Sequence, residues 1–388
     1  MSIELSKPKK ILITGVRAPV SLHLCRMFKK AGYEVYAADS VSYAISKKSN
    51  SILEFYLLPS PKYKTLEFIK ALKKIIKQNN INLLLPTCEE IFYIAQYRKV
   101  LSEDCEVFVD DIQKLLVLHN KYKCISLLKN LGYKVPETWL LTNKTILKDL
   151  ENKVKGELVA KRVFSRFGDS VLFINSINEL PDDVSFDSTW LLQEKITGEQ
   201  YCSYSIVKQG IIVAHTVYKT EFPAGIGAAL SFEHHDRNDI ELLVAAIVKK
   251  LYFTGQISFD FIIDEYDRAI PIECNPRATS GLHLFDHELT DVITNENKQL
   301  IYPKKNSKEA IKLGLLLYGT KQIKSLKTFK RWMYILIFYK DITYRSYDKT
   351  PFFYQFVSIF QLWTESRRNK QNILTQSTSD ISWDGEIL

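Results

Sequence analysis

Short apolar runs alternate with stretches of helical spacing at the start of the chain. Lys10–Thr14 (KILIT) reads as a strand, residues 20–31 carry apolar side chains at helical intervals and stop at Gly32, and residues 34–38 (EVYAA) read as a second strand closed by Asp39. Strand, helix and strand in that order form a βαβ unit. A helix over about 66–78 and a strand at 81–85, ending in PTCEE, continue the alternation, so residues 1–112 are expected to form one parallel-sheet domain. A helix at 120–130, stopped by Gly132, and the extended KVPETWLL follow. The pattern then changes to strands at 157–164, 169–174, 190–197, 200–207 and 210–219, a helix at 238–251, and a final hairpin. The expected fold class is therefore α/β followed by α+β.

That hairpin, GQISFDFIIDEYDRAIPIECNPRATSG, has strands at 257–263 and 269–274 around the polar turn DEYDRA. With the turn centred between Tyr266 and Asp267, Asp260 stands opposite Glu273, and Ser258 opposite Asn275. Like charges facing each other at a Cβ separation of about 4.5–5.5 Å destabilise a sheet, so a counter-charge is expected. A hard divalent cation held by oxygen ligands would supply it, and the Asn275 amide adds a neutral oxygen on the same strand face.

Lys161, in the strand LVAKRVF, shares a face with Val159 and Val163. Lysine is seldom buried unless paired, and the next residues, FSRFGDSV, form a turn tipped by Arg166 and Gly168. A buried cation followed by a polar turn suits a polyphosphate clamp; the competing reading is an edge strand with a snorkelling lysine. In LLQEKITGEQYCSY two strands join through Gly198. An extended apolar segment there offers backbone groups to an adenine edge, with Ile196 against the ring and Glu199 toward ribose hydroxyls.

Composition narrows the function classes. The chain has 388 residues, 46% apolar and 25% charged, as expected of a folded soluble protein. Its longest apolar run, residues 333–339, is far short of a membrane span, and the N-terminus lacks the pattern of a signal peptide. Six cysteines without CxxC spacing argue against a zinc site or a disulfide framework, and a cytoplasmic location is expected. The net charge of +9 is concentrated: residues 301–370 hold 15 Lys+Arg against 4 Asp+Glu, a balance of +11, which leaves −2 for the rest. This segment is also aromatic. It is expected to form amphipathic helices docked on the body with solvated lysines; contact with a membrane surface is left open, and nucleic acid is not expected. The first βα turn, TGVRAPV, has only Gly15 where a dinucleotide site uses three glycines, which leaves a nicotinamide oxidoreductase as the weaker alternative despite Asp39.

Taken in order, Lys121 in HNKYKCISLLKNLGYKVPET, Lys161 in VAKRVFSRFGDS, QEKITGE, Asp260 and the run Glu273 to Arg277 (ECNPR) resemble the ATP-grasp ligases, above all the biotin carboxylase and carbamoyl phosphate synthetase branch. The resemblance covers about residues 10–290. It implies a Rossmann-like pre-ATP-grasp domain (1–112), a first ATP-grasp lobe (113–195), a second lobe with the metal site (196–300) and a basic, mainly helical C-terminal extension (301–388). It further implies that Lys121 and Lys161, with Arg166 in the lid, contact the ATP phosphates, that Glu194, Lys195 and Ile196 line the adenine pocket, and that Glu199 binds the ribose. Asp260, Glu273 and Asn275 would hold two Mg2+ ions, with Mn2+ as a substitute, and Arg277 would stabilise an acyl phosphate. Lys219 is expected to meet an acceptor carboxylate, with Glu221, His215 and His234 nearby; the competing reading of both histidines is surface or satisfied side chains. The implied activity joins a small-molecule carboxylate to an amine through an acyl phosphate, in a protein that forms homodimers in many relatives. A phosphotransferase or nucleotide-binding module without ligation is the alternative. In three places the chain departs from the family pattern: one glycine in the lid turn, Asn120 before Lys121 where aspartate is common, and Ser258 two residues before Asp260.

Overall fold

The computed structural model describes residues 9–151, 156–165, 171–182, 184–224, 229–295 and 299–385. Three sheets follow one another along the chain. The first is parallel, in the order β3-β2-β1-β4-β5, from β1 (Lys10–Thr14), β2 (Glu34–Asp39), β3 (Glu54–Leu57), β4 (Leu83–Leu85) and β5 (Glu106–Val107). β1 is central, and Ile11, Leu12 and Ile13 are fully buried because the helices Pro19–Lys30 and Thr65–Asn79 supply apolar faces to the layer. Left-handed Asn80 closes the second helix, and Gly15 turns the chain out of β1 at φ +68°. A Cβ on Gly15 would meet Glu90 Oε1 at 2.7 Å and Thr87 Oγ1 at 2.8 Å, so the close approach requires glycine.

The second sheet is antiparallel, β6-β9-β7-β8, from β6 (Thr138–Leu140), β7 (Leu158–Arg162), β8 (Val171–Ile174) and β9 (Trp190–Glu194). It has its own core around Leu141, Leu158, Ala160, Trp190 and Leu192. Since β7 pairs on both edges, Lys161 sits in an interior strand, which removes the edge-strand reading. The third sheet, β14-β13-β10-β11-β12-β15-β16, comprises β10 (Glu199–Lys208), β11 (Ile211–Lys219), β12 (Ser231–His235), β13 (Gly255–Ile263), β14 (Ala269–Asn275), β15 (Lys308–Ala310) and β16 (Lys340–Asp341). The helix Asn238–Leu251 packs Ile240, Leu243, Val244 and Ile247 into the shared core.

The C-terminal segment returns to the first sheet. Arg17 bonds Asp39 at the end of β2 (2.6 Å) and also Asp380 (2.6 Å), while Ser40 donates to Asp380. Trp383 stacks on Phe92 at 5.7 Å, meets Tyr93 edge-on at 4.9 Å, and donates its backbone N–H to Glu89. The carboxylate that the oxidoreductase alternative needs for a ribose is thus committed to Arg17, and the chain's own tail lies over the carboxyl ends of the parallel strands, where such a ligand would sit. The tail's acidic and aromatic residues, unexplained by pattern, are packing groups.

The C-terminal helices depart from expectation. In the helix Thr350–Arg368 the buried positions are Pro351, Gln355 and Ser366, and in the helix Leu326–Phe338 only Ile335 is buried, so these helices do not dock through wide apolar faces. No helix among the described residues is long and apolar enough to cross a membrane.

Replacing Trp383 with Ala removes a buried ring and its two aromatic partners, and is expected to cost about 3 kcal/mol of stability, read as a lower urea midpoint with an unchanged slope.

Candidate functional site

The hairpin of β13 and β14 has the expected register at its functional end: Asp260 pairs with Glu273 and Ser258 with Asn275. Nearer the tip the pairing slips by one residue, since Phe261 faces Pro271 and Ile262 faces Ile270. Ile272 is the extra residue of a β-bulge, beside a proline that has no N–H to give the ladder. The bulge has a use, because the Ile272 carbonyl accepts from the Lys161 ammonium at 3.2 Å.

Both predicted phosphate lysines converge on these acids from other elements. Lys121 begins the helix Lys121–Asn130, where Asn120 caps the Lys123 N–H at 2.9 Å; asparagine therefore serves as the helix cap. The Lys121 side chain is 1% exposed, lies 3.5 Å from Glu273 Oε2 and donates to the Ser165 carbonyl at 3.0 Å. Burial lowers the Lys161 pKa to about 8 against the pull of Glu273, with Lys121 pushing in the same direction as burial. Burial and the facing Glu273 raise the Asp260 carboxyl, whereas Lys121 and Lys161 overcome the burial of Glu273 and hold it below the ordinary range. Asn275 Nδ2 donates to Glu273 Oε1 at 3.3 Å, and Arg277 donates to Asn275 Oδ1 at 2.9 Å.

Among the described residues no three His, Cys, Asp or Glu side chains converge as a metal cage. The donors at this point are two carboxylates and an amide oxygen, all hard oxygen ligands, which suits Mg2+ bound largely through phosphate and water.

These groups line a cleft of about 470 Å3 between the second and third sheets. Lys161, Glu194, Lys195, Ile196, Asp260, Glu273, Asn275 and Arg277 are all on its wall. The apolar wall near Ile196 is Val159, Val171, Phe173 and Ile262, and Lys195 is held by Glu157 at 2.6 Å. Val159 was legible as the period-2 neighbour of Lys161; Val171, Phe173 and Ile262 were visible only as apolar strand positions. The lining also includes Ala18, Pro19 and Val20, which follow β1, together with Tyr218, Thr279 and Ser280, and this approach of distant segments leaves no local signal.

Other candidates lie elsewhere. Glu199 and Lys219 are outside the lining and bond each other at 2.5 Å. Glu221 is bonded to Arg331 at 2.6 Å. Burial, aided by His234, lowers the pKa of His215 to about 3; it bonds Ser205 at 2.8 Å, while His234 bonds Thr216 at 2.8 Å and Asp236 at 3.1 Å. His234 is bonded at both ring nitrogens, whereas His215 Nε2 is buried without a hydrogen-bond partner among the described residues. Arg166 and Gly168 fall outside the described residues.

Comparison with known proteins agrees with this geometry. Residues 118–281 match the family model described as the ATP-grasp domain. N5-carboxyaminoimidazole synthetase from Staphylococcus aureus shares the fold with a TM-score of 0.62 at 16% identity, covering 81% of this chain and 85% of that one. L-amino acid ligase from Bacillus licheniformis gives 0.55 at 14% identity, over 70% and 68%. The biotin carboxylase domain of 2-oxoglutarate carboxylase from Hydrogenobacter thermophilus, solved with MgADP, ADP and bicarbonate, gives 0.57 at 14%, over 75% and 67%. An uncharacterized protein of Methanocaldococcus jannaschii is 24% identical over 353 residues, 88% of this chain and 82% of its own length.

Gly198 separates the Glu194 to Ile196 segment from Glu199, and a Cβ there would sit 2.0 Å from the Ile263 carbonyl. Gly198→Ala is expected to shift that junction, lowering stability by more than about 1 kcal/mol and weakening ATP binding, both read by thermal melts with and without nucleotide.

Proposed function

We propose that this protein is an ATP-dependent carboxylate-amine ligase that forms an amide through an acyl phosphate and releases ADP and phosphate. The observation that carries the reading is the opposed pair Asp260 and Glu273, flanked by Asn275 on the wall of a cleft that also holds Lys161 and Arg277, with Lys121 buried outside the lining at 3.5 Å from Glu273. The ATP-grasp domain at residues 118–281 sets the chemical class.

In this reading a Rossmann-like pre-ATP-grasp domain (1–112) is followed by lobes at 113–195 and 196–300 and the helical extension 301–388. Adenine lies between Val159, Phe173, Ile196 and Ile262, within reach of the Glu194 and Lys195 backbone. Glu199 takes the ribose hydroxyls, and Lys219 orients that carboxylate instead of meeting substrate. Lys121 and Lys161 hold the phosphates, joined by Arg166 from the lid. Asp260, Glu273 and Asn275 hold two Mg2+ ions, or Mn2+, which offset charge on the migrating phosphoryl group when bound.

Arg277 is bonded to Asn275 beside this point and lines the same cleft as Thr279 and Ser280, suited to hold the acyl phosphate oxygens while the amine attacks. The reaction needs no side-chain nucleophile: carboxylate oxygen attacks the γ-phosphorus, ADP leaves, nitrogen attacks the acyl carbon, and phosphate leaves as the amine gives up its proton. The buried walls restrict the water that would compete with the amine.

Incubating the protein with MgATP and paired panels of small carboxylates and amino acids is expected to release ADP only when acid and amine are both present. Phosphoryl transfer without an acid would overturn the ligase reading in favour of a phosphotransferase. Chelation of the metal is expected to abolish turnover. Glu273→Gln is expected to lower kcat by at least about a hundredfold, the scale of losing one transition-state charge stabiliser. Its fold should persist, because the lost attraction to Lys121 and Lys161 is offset by relief of the repulsion with Asp260. Normal turnover in that variant would remove the metal assignment.

A further inference from the structure

The helix Thr350–Arg368 is folded inside out relative to an ordinary surface helix. Its body-facing side is polar: Gln355 and Ser366 are buried, Ser358 donates to the Tyr43 carbonyl at 2.6 Å, and Glu365 accepts from the Tyr43 hydroxyl at 2.5 Å. The opposite side carries Phe353, Phe356, Val357, Phe360 and Trp363, exposed by 62%, 50%, 42%, 65% and 44%. Those positions recur at three- and four-residue intervals, so they make one apolar stripe along a helix about 28 Å long. The helix Leu326–Phe338 also exposes Leu326, Phe329, Met333, Ile337 and Phe338, although its inner side packs Trp332, Ile335 and Leu336 against the body.

The charges around these helices indicate what covers the stripe. All four acids between Ile301 and Lys370 are engaged within the protein: Glu309 with Arg345, Asp341 with the backbone of Lys312 and Thr343, Asp348 with Arg26, and Glu365 with Tyr43. The cations point the other way. Lys349 precedes the stripe and Arg368 and Lys370 follow it, all exposed and without an ion pair among the described residues; Lys327 and Lys330 are exposed on the other helix. A second copy fits this fringe poorly. Antiparallel pairing of two Thr350–Arg368 helices would set Lys349 against Arg367 and Arg368, and parallel pairing would set arginine against arginine. An apolar, aromatic stripe with basic ends and no outward acid instead matches the surface of a bilayer carrying anionic headgroups.

We propose that the helix Thr350–Arg368 lies in the plane of a membrane surface that contains anionic phospholipid. Phe353, Phe356, Phe360 and Trp363 enter the boundary of the acyl region, while Lys349, Arg368 and Lys370 bind headgroup phosphates. The helix does not span the membrane; it holds the cleft-bearing body against the surface through its polar side. This inference is independent of the ligase reading, since none of these residues lines the cleft.

Flotation of the full chain with vesicles tests it. Phosphatidylcholine vesicles containing phosphatidylserine are expected to carry up at least about tenfold more protein than phosphatidylcholine alone, falling as salt is raised. The double variant Phe356→Glu/Phe360→Glu, at two exposed positions, is expected to lose flotation with an unchanged melting temperature. The triple variant Lys349→Gln/Arg368→Gln/Lys370→Gln keeps the aromatic stripe and is expected to bind anionic vesicles roughly fivefold more weakly for each charge removed. Equal recovery with both vesicle types, or none with either, would overturn the proposal. So would light scattering that shows a dimer which Phe356→Glu/Phe360→Glu converts to monomer, since the stripe would then be covered by a second copy.

Discussion

The opposition of Asp260 and Glu273 across one hairpin is the constraint around which the cleft is arranged. Two carboxylates about 5 Å apart repel by about 3 kcal/mol even at an effective dielectric constant of about 20, and both are half-buried here. The chain meets this by importing cations from outside the sheet. Lys121 arrives from the start of a helix and Lys161 from the interior of a different sheet, and together they hold Glu273 ionised while Asp260 is pushed toward its neutral form. The same lysines are stabilised by those acids, since an ammonium 1% or 5% exposed is costly without a partner. Acids and lysines therefore tie the second sheet and the helix Lys121–Asn130 to the third sheet.

A local irregularity makes that junction directional. Had β13 and β14 paired regularly to the tip, the Ile272 carbonyl would have been part of the ladder. The bulge beside Pro271 frees it for Lys161 and keeps Asp260 opposite Glu273. Asn275 and Arg277 extend the polar line along the same strand end, each bonded to its neighbour, so these side chains are oriented before any ligand enters.

What was legible in the sequence was whatever depends on period and order. The strand Lys10–Thr14, the helix Asn238–Leu251 and the facing of Asp260 with Glu273 follow from apolar spacing and one turn, and each involves neighbours within a few tens of residues. The short strands Glu54–Leu57, Glu106–Val107 and Lys308–Ala310 were not legible, because their partners rather than their own residues make them strands. Pro271 was a readable sign of the bulge that pattern reading passed over. The cleft lining at Ala18 to Val20 and the bond of Arg17 to Asp380 are products of tertiary approach; in the second, 363 residues separate the partners. The pairing of Lys219 with Glu199, both outside the cleft lining, also follows from tertiary register: β10 against β11 sets the two side chains together.

The C-terminal extension is tied to the cleft rather than appended to the body. Arg331 bridges Glu221 and Glu233, Tyr339 completes that network, and Lys308 bonds Glu233 at 2.6 Å. These bonds fix β12 against β15, and Leu230 and Ile311 at that junction line the cleft. Loosening the helix Leu326–Phe338 would therefore move a cleft wall even though Phe329 and Phe338 face outward. On the other side Arg26, a buried residue of the first domain's helix Pro19–Lys30, holds Asp348 and the carbonyls of Ile342 and Thr343. That helix begins with Pro19 and Val20, which also line the cleft. The extension thus holds two cleft-lining segments through polar contacts, while the helix Thr350–Arg368 leaves its apolar side outward. Polar anchoring inward is what allows the apolar stripe to remain exposed without weakening the attachment of the extension.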